Sequence, residues 1–481
     1  MYMTTKKIGL ILGPLAFALI LALFRPEGLP FGGTAVLATT AWMAIWWTTE
    51  AISISVTAML PIILFPLTGV LDASEVTKPY GHYLVFLFLG GFIIAMAVER
   101  WNLHRRIALG IINLIGSNLK MVILGAMVAT AFLSMWISNT ATSVMMLPIA
   151  MAIAKQLEDD PTTEVNENST FGKAMMLAVA YAASIGGMAS LVGTPVNFVL
   201  AGQAKEVFGV EIGFMDWMRV GLPISVVLLV ICWWYLTRVA FTFEKDAFTG
   251  GRAEIRRLQK ELGPMSREEV KVLIVFVITA AAWVFRKTLL APLIPGISDT
   301  VIAMIGATAL FLVPGKEKGS ALLNWQEAVK LPWGVVLLLG GGFALAAGFE
   351  AGGLAEYVGN HLSVPDGVNL LLVTIVVVAA VNFLTEITSN VATTSMLLPV
   401  LAVAAAPLGV TGASLMVPAT LAATCAFMLP VATPPNAVVF GSGYLTIPDM
   451  ARAGFRMNVI SIFIISLVCY FVLPLLPGFD F

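Results

Sequence analysis

The chain has 481 residues, of which 59% are hydrophobic and 11% are charged, with a formal net charge of −1 and a mean hydropathy of +0.93. So apolar a composition excludes a soluble globular protein, and the near-zero net charge gives no indication of a nucleic-acid partner. Apolar runs of about 20 residues, long enough to cross a hydrocarbon layer of roughly 30 Å, recur along the chain and predict an all-α polytopic membrane protein.

The apolar segments, taken in chain order, predict about eleven transmembrane helices. They lie at 8–24, 33–47, 52–70, 82–98, 120–137, 141–154, 174–191, 196–208, 219–240, 270–291, 299–314, 333–349, 369–388, 392–408, 413–431, 436–445 and 456–476. Segments 120–154 and 369–408 are each broken at a Ser-Asn pair, and we expect them to be re-entrant hairpins. The Thr-Pro motifs within 193–197 and 432–436 predict helices broken inside the membrane, because Pro removes a backbone donor and disfavours helical angles in the residue before it.

One motif occurs twice. Residues 138–148 read SNTATSVMMLP and residues 389–399 read SNVATTSMLLP, with seven of eleven positions identical. At the same offset of 251 residues Ser134 corresponds to Thr385, and the two Thr-Pro motifs correspond at an offset of 239. A membrane protein that duplicates polar motifs of this kind usually duplicates a binding site, so we predict two repeats of one membrane domain.

The repeats divide the chain into four parts. These are a first transmembrane helix (1–32), a first repeat (33–240), a cytoplasmic amphipathic linker (241–267) and a second repeat (268–481). Within the linker, residues 252–262 are predicted to form an amphipathic helix. Five crossings in each repeat make the two repeats inverted. The distribution of basic residues places the N-terminus in the cytoplasm and the C-terminus outside, with a bacterial-type inner membrane as the expected location; Arg219 and Arg286-Lys287 fall on the other side and count against this orientation.

The four breaks predict a binding centre. Helices that begin after Asn139, Pro195, Asn390 and Pro434 would offer free amides and partial positive charge to an anion, while the carbonyls before each break would offer oxygen ligands to a cation. The break motifs contain no Lys, Arg or His, so the charge of a bound anion must be offset by amides, helix ends and a co-bound cation. This composition indicates coupling to Na⁺.

These motifs, together with the string FMLPVATPPNAVVF at 427–440, resemble the divalent anion:sodium symporter family over essentially the whole chain. The resemblance implies a secondary active transporter that imports a di- or tricarboxylate, with a succinate-like C4-dicarboxylate expected first, by Na⁺ symport. It also implies a homodimer in which a transport subdomain moves against a scaffold subdomain in an elevator-type alternating-access cycle.

The resemblance further implies a substrate site and two Na⁺ sites. The implied substrate ligands are Ser138, Asn139, Thr140, Ser389, Asn390, Val391, Thr433 and Pro434. Na⁺ site 1 would use Ser134, Ser138, Asn139 and Gly193, and Na⁺ site 2 would use Thr385, Thr388, Asn390 and Ala432. Val391 stands where the strict dicarboxylate pattern has a second Thr, which leaves a different dicarboxylate, or citrate, open.

Several other interpretations remain at this stage. Within the family, an Na⁺-independent dicarboxylate exchanger or a citrate or sulfate transporter would keep much of the same chemistry. A channel would not gain from two inverted half-sites, and a membrane-embedded enzyme is disfavoured because the sequence contains no His-Glu-x-x-His or similar motif. Glu386, an ionisable residue beside Thr385, is a functional candidate, although Met135 at the matching position of the first repeat favours a structural role.

Overall fold

The computed structural model describes residues 5–116, 118–157, 167–243, 251–317, 319–361 and 369–481. Within these ranges the chain forms α-helices, short helical turns and an isolated antiparallel bridge between Pro314 and Ala321. This architecture confirms the predicted all-α membrane fold class.

The helices before the first polar loop are α1 (Thr5–Leu23), α2 (Phe31–Thr49), α3 (Ile54–Thr57), α4 (Leu60–Thr68), α5 (Ala73–Thr77), α6 (Tyr83–Arg100), α7 (Leu103–Ile115), α8 (Leu119–Ser134) and α9 (Asn139–Ala154). Those up to the middle of the chain are α10 (Glu167–Gly187), α11 (Pro195–Phe208), α12 (Phe214–Tyr235), α13 (Gly251–Glu261), α14 (Arg267–Phe285) and α15 (Asp299–Leu312). The remaining helices are α16 (Trp325–Ala328), α17 (Trp333–Ala351), α18 (Leu354–His361), α19 (Leu370–Thr385), α20 (Asn390–Ala405), α21 (Gly412–Ala423), α22 (Pro434–Phe440) and α23 (Ile447–Phe471).

Six described segments are long and apolar enough to cross a membrane. They are Thr5–Leu23, Ala73–Arg100, Phe214–Ala240, Arg267–Leu290, Trp333–Ala351 and Ile447–Leu475. The four helices beside the Ser-Asn pairs have 16 residues each and span roughly 24 Å, which is less than the thickness of the hydrocarbon core. Their length fits two hairpins, while the total of eleven crossings stays a prediction.

Two local features were not predicted. The apolar segment 52–70 contains two helices, α3 and α4, which join at Ala58 and Met59, where the amide of Met59 donates to the carbonyl of Val56 in a tighter turn. Helix α7 was not predicted, since it is amphipathic rather than continuously apolar. It packs against α13, the amphipathic helix predicted at 252–262, and Gln259 of α13 donates to the carbonyl of Leu109 (3.1 Å). Residues 244–250 of the predicted linker lie outside the described residues.

The basic residues that counted against the predicted orientation are paired with acids. Arg286 Nε lies 2.6 Å from Asp299 Oδ1, Lys287 Nζ lies 2.6 Å from Asp216 Oδ2, and Arg219 lies 3.7 Å from Asp216. Each cation is therefore partly neutralised by a neighbour. The positive-inside rule counts Lys and Arg and gives acids little weight, so these residues still count against the predicted orientation, which stays a prediction.

The hairpin helices and the broken helices exchange partners between the two halves of the chain. Helix α11, which begins at Pro195, packs against α20 of the second hairpin, and α22, which begins at Pro434, packs against α9 of the first. This crossed packing binds the four break motifs into one centre.

Candidate substrate and cation site

The first oxygen cluster forms where α8 ends. The Ser134 hydroxyl is fully buried and lies 2.7 Å from the Asn139 amide oxygen and 2.7 Å from the carbonyl oxygen of Ala183 in α10. A hydroxyl has one proton, so it cannot donate fully to both oxygens. Three oxygens that share one donor suit a small hard cation such as Na⁺.

The second half of the chain repeats this cluster. The buried Thr385 hydroxyl lies 2.6 Å from the Asn390 amide oxygen and 3.1 Å from the carbonyl oxygen of Ala423, at the end of α21. Its atoms are of the same three kinds as those around Ser134. Both clusters therefore fit a cation held by neutral oxygens, and the described residues contain no group of three or more His, Cys, Asp or Glu that could hold a metal ion.

The unwound stretch before each Thr-Pro motif is held by the asparagine of that motif. Asn197 donates from its amide nitrogen to the carbonyls of Gly187 (3.2 Å) and Ser190 (2.7 Å). Asn436 donates in the same way to the carbonyls of Ala426 (3.1 Å) and Leu429 (3.0 Å), which match Gly187 and Ser190 at the offset of 239 residues. Buried carbonyls that leave a helix need such partners, because an unsatisfied polar group at membrane depth costs several kcal/mol.

Two of the predicted Na⁺ ligands of site 1 are in direct contact, and Gly193 is connected to them by close packing on Gly187. Ser134 and Asn139 are in contact, while Ser138 accepts a hydrogen bond from the Ala141 amide (3.2 Å) and caps α9. A Cβ on Gly193 would lie 2.4 Å from the Gly187 carbonyl oxygen. Gly187 in turn packs so closely on Asn139 that its own Cβ would lie 2.2 Å from the amide oxygen.

Of the predicted ligands of site 2, two are in contact with each other and two are not. Thr385 and Asn390 are in contact, but the Thr388 hydroxyl is engaged with the Leu384 carbonyl (2.8 Å) and with the Thr393 hydroxyl (2.6 Å). Ala432 is buried, and within the described ranges no hydrogen bond joins it to Thr385 or Asn390.

Sequence reasoning missed the carbonyls of Ala183 and Ala423, which complete the two clusters. A backbone carbonyl carries no residue-type signal, so side-chain motifs cannot reveal it. Their place near the end of the helix before each Thr-Pro break was the one available sign.

The predicted substrate ligands lie at the tips of the same helices. Thr140 and Pro434 are exposed, and Asn139, Asn390 and Val391 are partly exposed. The buried Thr433 hydroxyl accepts a hydrogen bond from the Asn436 amide (3.3 Å) and caps α22. The remaining two predicted ligands, Ser138 and Ser389, are N-cap residues of α9 and α20 and are partly exposed. Polar tip residues are thus open to a ligand while the oxygen clusters behind them are closed.

Comparisons with known proteins agree on a family. Residues 4–476 match the sodium:sulfate symporter transmembrane region. The sodium-dependent dicarboxylate transporter SdcS of Staphylococcus saprophyticus is 47% identical over 485 residues, covering 100% of this chain and 93% of the relative. The protein of the same name from Staphylococcus aureus is 48% identical over 481 residues, covering 99% and 92%.

Two solved structures share the fold. MtrF of Neisseria gonorrhoeae, described with a class of antimetabolite efflux pumps, aligns with a TM-score of 0.60 at 13% identity, covering 98% of this chain and 96% of its own. The YdaH transporter of Alcanivorax borkumensis aligns with a TM-score of 0.57 at 13% identity, covering 87% and 90%. At that identity the likeness concerns the fold.

Proposed function

The chain belongs to the sodium:sulfate symporter family, and from that premise we propose that it imports a divalent carboxylate, with a succinate-like C4-dicarboxylate preferred, by symport with Na⁺. It is a membrane transporter rather than an enzyme, and Na⁺ is its coupling ion. The observation that carries the proposal is the pair of matching oxygen clusters around Ser134 and Thr385.

The substrate would lie between the two hairpin tips. Ser138, Asn139 and Thr140 would meet one carboxylate, and Ser389, Asn390 and Val391 would meet the other, with Thr433 and Pro434 alongside. Support comes from the exposure of these tips and from the amides at the starts of α9 and α20, which favour an anion. Since the tips offer no cationic side chain, the dianion would bind well only after cations occupy the clusters behind them.

Each Na⁺ would enter one oxygen cluster. The first would be held by Ser134, Asn139 and the Ala183 carbonyl, with Ser138 and the Gly193 region close by. The second would be held by Thr385, Asn390 and the Ala423 carbonyl, with Thr388 and the Ala432 region close by. Because Asn139 and Asn390 also belong to the tips, each asparagine would link a bound cation to the substrate.

The transport cycle would be alternating access of elevator type in a homodimer. The first transmembrane helix (1–32), the two inverted repeats (33–240 and 268–481) and the linker (241–267) would form one membrane domain with scaffold and transport subdomains. Its N-terminus would be cytoplasmic and its C-terminus external, in a plasma membrane. Support comes from the crossed packing of the hairpin and broken helices, which would let the four break motifs move as one body.

The test is uptake of labelled succinate into proteoliposomes. We expect uptake under an inward Na⁺ gradient, none with K⁺ in place of external Na⁺, and no need for substrate inside. Uptake that ignores Na⁺ and appears only with preloaded succinate would make the protein an exchanger. Stronger competition by citrate or sulfate than by unlabelled succinate would reassign the substrate, and unitary currents would indicate a channel.

A further inference from the structure

Glu386 occupies a position that the proposed Na⁺ and substrate sites do not use. It follows Thr385 directly, and 3% of its surface is exposed. Its carboxylate accepts hydrogen bonds from three consecutive backbone amides, those of Phe427 (2.7 Å), Met428 (2.9 and 3.1 Å) and Leu429 (3.1 Å). Asn458 of α23 adds a fourth donor at 2.7 Å.

The three amides belong to the unwound stretch that follows Ala423. Helix α21 ends there, so the amides beyond it have lost their helical acceptors, and an unpaired buried N–H is costly. The carbonyls of the same stretch are held from other directions: Phe427 O accepts from the Tyr181 hydroxyl (2.9 Å), and Leu429 O accepts from Asn436. Glu386 therefore accepts from the backbone amides of a segment whose backbone carbonyls already have other partners.

The first half of the chain makes a corresponding connection, in which the unwound stretch again donates and the tip again accepts. Met135 and Ser190 stand at the positions that match Glu386 and Leu429. There the Ser190 hydroxyl, on the unwound stretch, donates to the Met135 backbone carbonyl at the tip. Both halves thus tie the tip to the unwound stretch at the same place. In the second half the tie is a carboxylate with several donors instead of a single hydroxyl.

We infer that Glu386 is a positioning residue for the second cation site: by fixing the stretch after Ala423 against the tip, it holds the Ala423 carbonyl beside Thr385 and Asn390 before any ligand binds. This inference rests on the proposed function. It makes the two cation sites differ in preorganisation. The second site is held in place by the several hydrogen bonds of Glu386, whereas the first depends on the single hydrogen bond from Ser190.

The variant Glu386→Gln tests the inference, because an amide keeps the shape and turns one acceptor into a donor that faces backbone N–H groups. The matched control is Asn458→Leu, which removes the contact to α23 and leaves the three backbone amides on the carboxylate. Two readouts are needed: the Na⁺ concentration for half-maximal succinate uptake, and the gain in Tm of the detergent-purified protein when NaCl replaces KCl without substrate.

For Glu386→Gln we expect half-saturation by Na⁺ to rise about fivefold or more, the rate at saturating Na⁺ to stay within about twofold of wild type, and most of the Na⁺-dependent gain in Tm to be lost. Asn458→Leu should change both readouts much less. A folded Glu386→Gln protein with wild-type Na⁺ half-saturation would overturn the inference. So would equal effects of the two variants, which would indicate general packing against α23.

If the Glu386→Gln protein does not fold, the same two measurements are made on Glu386→Asp. It keeps the carboxylate but shortens its reach, so Na⁺ half-saturation should rise by a smaller factor; an unchanged value would count against the positioning role. Failure of the proposed function looks different, since the wild-type protein itself would then show no Na⁺ dependence in uptake or in Tm.

Discussion

Ser134 and Thr385 each lie within hydrogen-bonding distance of an asparagine amide oxygen and of a helical carbonyl, one in the first and one in the second half of the chain. The asparagines of the two Thr-Pro motifs also hold matching carbonyls. The contacts of the two proposed cation sites are therefore duplicated almost atom for atom.

The surroundings of the two clusters are not duplicated. The ring of Trp136, at the first tip, stacks against Phe214 with centroids 5.8 Å apart, whereas Ile387 at the matching position is 68% exposed. Val192 is 5% exposed and its counterpart Val431 is 81% exposed. The two halves thus differ in what surrounds Trp136 and Val192, which are packed, and their counterparts Ile387 and Val431, which are exposed, while the polar residues of both tips remain at least partly exposed.

The largest expected effect is loss of either asparagine. Asn139→Ala and Asn390→Ala each remove an oxygen from a cluster and a polar group from a tip, and a hydrogen bond to a charged partner is worth about 1.5 to 3 kcal/mol. Na⁺-driven succinate uptake should fall at least about tenfold in both variants. The exposed Thr48→Ala is the control for expression and folding. Full uptake in both asparagine variants would contradict the site.

A glycine sharpens the comparison at the first cluster. Gly187→Ala would place a methyl group 2.2 Å from the Asn139 amide oxygen, whereas the matching position in the second half already carries a methyl group, in Ala426. We expect Gly187→Ala to reduce Na⁺-driven uptake roughly tenfold by displacing Asn139, since overpacking forces neighbours to shift. Ala426→Gly should leave most uptake intact. Equal effects of the two changes would show that the halves are packed alike.

A matched pair of glycines tests what the halves share. A Cβ on Gly221 of α12 would lie 2.4 Å from the Met188 carbonyl oxygen, and one on Gly454 of α23 would lie 2.2 Å from the Phe427 carbonyl oxygen. Gly221→Ala and Gly454→Ala should both destabilise the protein by about 1 to 3 kcal/mol. Lower Tm values of similar size in detergent would support equivalent packing, and an unchanged Tm in one of them would break the equivalence.

The smallest expected effect concerns substrate choice. Val391→Thr restores at the second tip the hydroxyl that Thr140 supplies at the first, so it should strengthen competition by succinate relative to citrate by about threefold, below the full value of a hydrogen bond because the tip is partly exposed. Competition assays on labelled uptake measure this directly. Identical inhibitor rankings in the two proteins would show that the hydroxyl at this tip does not contribute.

The ends of the hairpin helices and of the broken helices could be predicted because residues that start helices mark them in the sequence. Ser138 and Ser389 are the N-cap residues of the second helix of each hairpin, a position that Ser generally favours. Pro195 and Pro434 are the first residues of the helices that follow the unwound stretches, where Pro is also favoured. The duplication matched Ser134 with Thr385 and Asn139 with Asn390, and the family resemblance grouped Ser134 with Asn139, which are in contact.

The rest depends on contacts that carry no local pattern. The carbonyls of Ala183 and Ala423 are backbone atoms, and the partners of Glu386 are backbone amides about 40 residues further along the chain, which no side-chain motif reveals. Helix α7 escaped detection because its apolar residues lie on one face and never form a continuous run. The cover over Trp136 comes from α12 and α14, far away in the sequence.

Calorimetric titration of succinate into the purified protein, in NaCl and in KCl, tests most directly whether the paired oxygen clusters hold the cations that make the dianion bind. We expect succinate to bind in NaCl and to show no measurable binding in KCl, with Asn390→Ala failing to bind in either salt. Equal succinate affinity in NaCl and KCl would contradict the account, because the tips would then hold a dianion without cations behind them.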